Sequence, residues 1–134
     1  MRSYSVVINN SMLCEEVFRI TANAAKERGD ALHAATEEDK ALIEGFIAGA
    51  MPVLRTAFGR FIDGAANVGI GYSMPENWKV DVVTVSYCCN EFLTNYALAR
   101  WYELSGVANG CMNAANAALE ALRLCLGKRV KPIR

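Results

Sequence analysis

The stretch "WKVDVVTVSYCCNEFLTNYALARWYEL", residues 78–104, decides the fold. Its opening, "VDVVTVSY", is rich in β-branched residues and locally reads as a strand. Across the whole stretch, however, Trp78, Val82, Val85, Cys89, Phe92, Tyr96, Ala99 and Tyr102 recur every three or four residues. That is the period of one face of an α-helix. One long helix accounts for all of it, a strand only for its start. Gly106 supplies the stop.

Upstream, "DGAANVGIGYSMPEN" (63–77) holds three glycines and a proline and reads as a long loop. Before it, Thr36 opens a helix. "TEED" has the form of a capping box, with Asp39 in the usual Glu position. Ile43, Phe46, Ile47, Ala50, Leu54, Ala57, Phe58 and Phe61 then make one apolar stripe. Pro52 is expected to kink or divide this helix. Gly45 and Gly49, one turn apart, would let a neighbouring helix come close. The first helix is expected from an N-cap at Ser11, with Glu15 and Glu16 near the positive end of its dipole, to a stop at Gly29. "YSVVI" (4–8) reads as a short strand or an extended arm. The last helix, about 108–126, carries Cys111, Ala115, Ala118, Leu122 and Cys125 on one face. Asn113, Asn116, Glu120 and Arg123 lie opposite. The fold class is therefore all-α. A bundle of about four main helices fills one domain, 1–134, with an arm at 1–10, a loop near 63–77 and a basic tail at 128–134.

The 134 residues carry no net charge, which argues against a dedicated nucleic-acid binder. The charge is unevenly spread. Residues 1–127 hold ten bases and fourteen acids, a balance of −4, and residues 128–134 restore +4. The acids concentrate in residues 27–44, where Glu37, Glu38 and Asp39 stand together. The tail, with Lys128, Arg129, Lys131 and Arg134, has three readings: a solubilising terminus, an arm for the acidic patch of a neighbouring subunit, or a salt-sensitive contact to nucleic acid. Pro132 favours an extended course.

Five cysteines, Cys14, Cys88, Cys89, Cys111 and Cys125, form no CxxC pair, and four lie among apolar helical residues. A reducing compartment is the simpler reading. The start, "MRSYSVVINNSM", lacks the apolar core of a secretory leader. The longest uncharged apolar run, "GFIAGAMPVL", is too short to span a bilayer.

No catalytic constellation stands out. His33 is the sole histidine and has no companion at ligand spacing. Cys88 and Cys89 point about 100° apart on a helix, so only Cys89 falls on the apolar stripe. Cys111 and Cys125 sit about 21 Å apart along one helix and cannot share a metal. The glycines of "GAANVGIGY" lack the following Gly-Lys-Ser/Thr of a phosphate loop. The expectation is no enzyme, no metal and no cofactor. The loop is apolar enough to insert into a neighbour, with Val68, Ile70, Tyr72 and Trp78 as the assembly residues. A pocket lined by Tyr87, Phe92 and Tyr96 would instead mark a ligand-binding bundle.

One larger pattern joins these pieces. "MPENWKVDVVTVSYCCNEFLTNYALARWYELSG", followed by "ANAALEALRLCLGKRVKPIR", resembles small helical head–tail connector (neck) proteins of Bacteroides phages and prophages. The shared features are the Pro75-x-Asn77-Trp78 turn, the long helix ending "NYALARWYELSG", and an Ala-rich helix running into a basic, proline-containing end. The similarity covers residues 75–134. It implies a non-enzymatic virion structural protein, made in the host bacterial cytoplasm. Such a protein forms a homo-oligomeric ring between portal and tail proteins, with no membrane partner and at most incidental contact with nucleic acid. A ring repeats one heterologous contact between copies until it closes. The +4 tail and the −4 segment 27–44, with Glu37, Glu38 and Asp39, are complementary enough to guide such a contact. The alternative is a cytosolic small-molecule-binding or regulatory helical domain.

Overall fold

A computed structural model describes residues 1–28, 33–63, 69–103 and 107–130. In chain order its elements are β1 (Arg2–Val7), α1 (Asn10–Arg28), a 3-10 turn (Glu37–Asp39), α2 (Lys40–Phe58), a second 3-10 turn (Gly59–Phe61), β2 (Ile62–Asp63), β3 (Gly69–Met74), α3 (Val82–Trp101) and α4 (Ala108–Gly127). Four main helices dominate, as the apolar periodicities predict. A small antiparallel sheet of order β1-β3-β2 completes the fold.

α3 is the hub. It packs against α4, α2, α1 and β1. Its buried residues, including Val85, Cys88, Cys89, Phe92, Leu93, Ala97 and Leu98, therefore spread over more than one face. Its start differs from the expected one. Asp81 caps the helix: its carboxylate accepts the Thr84 backbone N–H at 3.0 Å and the Thr84 hydroxyl at 2.7 Å. Trp78 lies outside the helix and shares its period only by coincidence. The cap of α1 is Asn9 rather than Ser11, since Asn9 Oδ1 accepts the Met12 N–H at 3.1 Å. The Thr36–Asp39 box forms as expected, with the Asp39 carboxylate accepting the Thr36 N–H at 2.9 Å. α2 is not divided at Pro52 but runs through it to Phe58. Ile43, Ile47, Ala50, Leu54 and Phe58 are buried along one side of α2, which holds it against the core.

The segment read as a loop contains the central strand. β3 alternates half-buried Gly69, Gly71 and Ser73 with buried Ile70, Tyr72 and Met74. That period of two is what a half-buried strand requires. Its register with β1 sets Tyr4 opposite Tyr72 and Val6 opposite Ile70, so both strands press the same face into the core. "YSVVI" is accordingly a strand, shifted to Arg2–Val7. Gly69 has φ +131°, and a Cβ there would lie 2.0 Å from the Val6 carbonyl oxygen. Only glycine fits this close approach.

Candidate interaction surfaces

Trp78 is the junction of the molecule. Its ring meets Tyr4 edge-on at 5.1 Å and Tyr72 at 6.0 Å, and Tyr72 in turn meets Phe58 at 5.1 Å. Its indole N–H donates to the Cys125 carbonyl at 3.0 Å, near the end of α4. The chain on both sides is pinned as well. Trp78 and Arg129 form an antiparallel bridge, with Lys79 N–H donating to the Lys128 carbonyl at 3.1 Å and Val130 N–H to the Asn77 carbonyl at 2.8 Å.

These contacts change how the expected assembly residues read. Ile70, Tyr72 and Trp78 are buried at 2 %, 0 % and 1 % exposure. They form the chain's own core and offer nothing to a neighbour. Val68 lies outside the described residues. Glycine content favours a loop here, but the alternation Ile70–Tyr72–Met74 carries the period of a strand.

The tail begins differently from the freely extended arm expected. Lys128 to Val130 pair with residues 77–79, and the Arg129 guanidinium donates to the Leu126 and Lys128 carbonyls at 2.8 and 2.9 Å. It also lies over the Phe61 ring, 5.7 Å from its centroid. Arg129 thus closes the C-terminal end of α4, where the dipole favours a cation. The Lys128 side chain is exposed. Lys131 and Arg134 lie outside the described residues. Of the acidic patch, Glu37 and Glu38 are exposed and Asp39 is committed to its capping box. Lys40 stands 3.9 Å from Glu37. Glu38 has no ion-pair partner among the described residues.

The buried thiols are poor nucleophiles. Burial raises the pKa of Cys14, Cys88, Cys111 and Cys125, and pushes Cys89 up to about 12. The protonated form dominates near neutrality and the thiolate is the reactive species. Burial likewise raises the Tyr72 phenol. Among the described residues no group of three His, Cys, Asp or Glu side chains is placed to hold a metal ion. The exposed His33 serves through its backbone: its carbonyl accepts the Trp101 indole N–H at 2.9 Å. Tyr87 is exposed while Phe92 is buried against Tyr96, so the three do not line one pocket.

Two surfaces stand out instead. The first is a depression of about 490 Å³ between the end of β1, the start of α1 and the middle of α3. Val7, Asn9, Met12, Leu13, Glu16, Asn90, Glu91 and Thr94 line it. One and two turns earlier on α3, Tyr87 and Val83 continue this face. Val7, Met12, Val83 and Tyr87 are 64–76 % exposed.

The second is the outer face of α2. Ala41, Leu42, Gly45, Ala48, Gly49, Pro52, Val53 and Thr56 recur at helical spacing, and all are exposed. The face carries no charge over about 23 Å. A Cβ at Gly45 or Gly49 would meet nothing within 4 Å. Each glycine costs the helix about 1 kcal/mol relative to Ala with no steric reason inside the chain. An 18-residue window within Glu37–Phe61 reaches a mean hydropathy of 1.4, long and apolar enough to cross a bilayer, but α2 packs one face into the core as a core helix does.

Comparison of the chain with protein-family models, with curated proteins and with solved structures finds no match.

Proposed function

We propose that this protein is a non-enzymatic virion structural protein of the head–tail connector type, assembling as a homo-oligomeric ring between portal and tail. The observation that carries the reading is the patch formed by Val7, Met12, Val83 and Tyr87. Four large apolar side chains stay exposed beside a depression on a domain whose core is already closed. Exposed apolar surface of this kind marks interaction sites. Polar Asn9, Glu16, Asn90 and Glu91 at the same depression would supply the rim hydrogen bonds of an interface. The resemblance of residues 75–134 to connector proteins supplies the assembly. The assembly surface accordingly moves from the segment 68–78 to the β1, α1 and α3 patch.

The test is native mass spectrometry and electron microscopy of the protein alone and mixed with portal and tail proteins encoded beside its gene. Rings, or a stoichiometric complex with either partner, are expected. Val83→Glu with Tyr87→Glu should abolish them without unfolding the chain, since both side chains are exposed. A folded protein that binds neither partner and never forms a ring would refute the reading.

The same depression favours a second reading, a small-molecule-binding helical domain. Glu91 on its wall would then select a cationic, partly apolar ligand, whereas the Glu16 carboxylate is already ion-paired with Arg19. A rise in melting temperature confined to amines in a mixed small-molecule panel would support it.

A further inference from the structure

We infer that the depression between β1, α1 and α3 receives residues 131–134 of a neighbouring copy of this chain. This occupant rests on the reading of the Val7, Met12, Val83 and Tyr87 patch as an assembly surface, and gives that surface its partner.

The chemistry of the depression selects a short segment that is both apolar and cationic. Val7, Met12 and Leu13 supply an apolar wall, and no base lines it among the described residues. The Glu16 carboxylate is ion-paired with Arg19. Glu91 has no such partner among the described residues. Its carboxylate accepts the neutral Asn95 amide at 3.2 Å, which leaves the charge uncompensated. On α3 the face Val83, Tyr87, Glu91 and Thr94 runs for about 16 Å. Four or five extended residues span that length. The residues after Val130 are Lys-Pro-Ile-Arg. Lys131 and Arg134 offer cations to Glu91, Ile133 suits the apolar wall, and Pro132 suits the exposed Tyr87 ring. Proline-containing segments are already extended and dock on aromatic rings at a low cost in entropy.

The course of the chain makes this contact intermolecular. Lys79 N–H donates to the Lys128 carbonyl and Val130 N–H to the Asn77 carbonyl. Residues 128–130 therefore run antiparallel to 77–79, opposite to the chain that leads into α3. The depression lies further along α3, at Asn90, Glu91 and Thr94. Asn90 is already about 12 Å along the helix from Val82. Four residues reach at most about 14 Å, and Val130 directs them the other way. A tail and a depression on different surfaces make a heterologous contact, the kind that a ring repeats.

Two variants separate the donor from the acceptor. Lys131→Ser with Ile133→Ser and Arg134→Ser keeps the depression and removes the tail's side chains. Val83→Glu with Tyr87→Glu keeps the tail and spoils the depression. Sedimentation velocity over a wide concentration range should show the unaltered chain self-associating and each variant monomeric, with its melting temperature unchanged. Mixed together, the two variants should form a one-to-one heterodimer that grows no further. Glu91→Lys should weaken self-association about fivefold, as loss of a partly exposed ion pair does. Lys131→Glu with Arg134→Glu in that same chain should recover it. A strictly monomeric unaltered chain would overturn the assignment, as would self-association that survives the tail variant. So would a mixture of the two variants that does not pair, or charge changes that fail to rescue Glu91→Lys. Complexes with portal or tail proteins that need Val83 and Tyr87 but not residues 131–134 would leave the connector reading standing and refute this occupant.

Discussion

Tyr72 concentrates the tensions of the core in one side chain. Its ring is held among Tyr4, Phe58 and Trp78, and its buried hydroxyl has no hydrogen-bond partner among the described residues. An unpaired buried hydroxyl costs about 1–3 kcal/mol. Tyr72→Phe should therefore raise stability by about 1 kcal/mol, read by urea denaturation. An unchanged or lower midpoint would mean that the hydroxyl is satisfied in solution. Cys89 makes a pH prediction. Its thiol titrates near the ordinary value of 9.0 when unfolded and near 12 when folded. Between those values the native state binds the extra proton, so stability is complete below about pH 9 and falls as pH rises. The slope approaches about 1.4 kcal/mol per pH unit for one such group. Cys89→Ala should flatten the alkaline limb of the stability profile. Gly69 resists replacement, because an added Cβ would strike the Val6 carbonyl. Neither the clash nor the φ angle is written in local sequence, whereas the alternation of Ile70, Tyr72 and Met74 was there to be read.

At the scale of elements, α2 and α4 were legible because each carries a 3.6-residue apolar stripe, α3 because its apolar residues recur without a break over a helix-length stretch although they bury more than one face, and the edges of all were less so. α3 shows why. Val82 onward repeats faithfully, and Trp78 happens to fall in phase, but the helix starts only where Asp81 can cap it. Hydrogen bonds from Thr84 hold the Asp81 carboxyl below its ordinary pKa. A lowered pKa contributes stability above about pH 4 that is lost on acidification. Asp81→Asn should accordingly reduce the acid sensitivity of the melting temperature, as followed by circular dichroism between pH 2 and 7. In α2, Gly45→Ala and Gly49→Ala should each stabilise the isolated chain by about 1 kcal/mol in chemical denaturation at dilute concentration. A loss at either position would show that the backbone there needs glycine for an internal reason.

For the whole molecule, composition separated a −4 body from a +4 tail but could not show where the tail begins to be held. Lys128 to Val130 return to residues 77–79, a pairing about fifty residues apart in sequence that no local signal announces. Nor could the apolar content of residues 68–78 reveal whether it faces a neighbour or the interior, since both destinations select the same side chains. Val130→Pro removes the donor to Asn77 and should lower stability by about 1 kcal/mol. If it does not, the bridge contributes little to the fold. The placement of Trp78 and β3 also bears on synthesis. β1 leaves the ribosome early and then waits for β3, since Ser3 pairs with Ser73, seventy residues later. Trp78 waits in turn for Cys125 and Arg129. β1 and the last turn of α4 therefore close on the same central stretch. The nascent chain can form helices as they emerge, but it cannot seal its aromatic core until residues 125–130 are free. Until then Tyr4, Tyr72 and Trp78 have incomplete cover, and that interval is when a chaperone would find this chain.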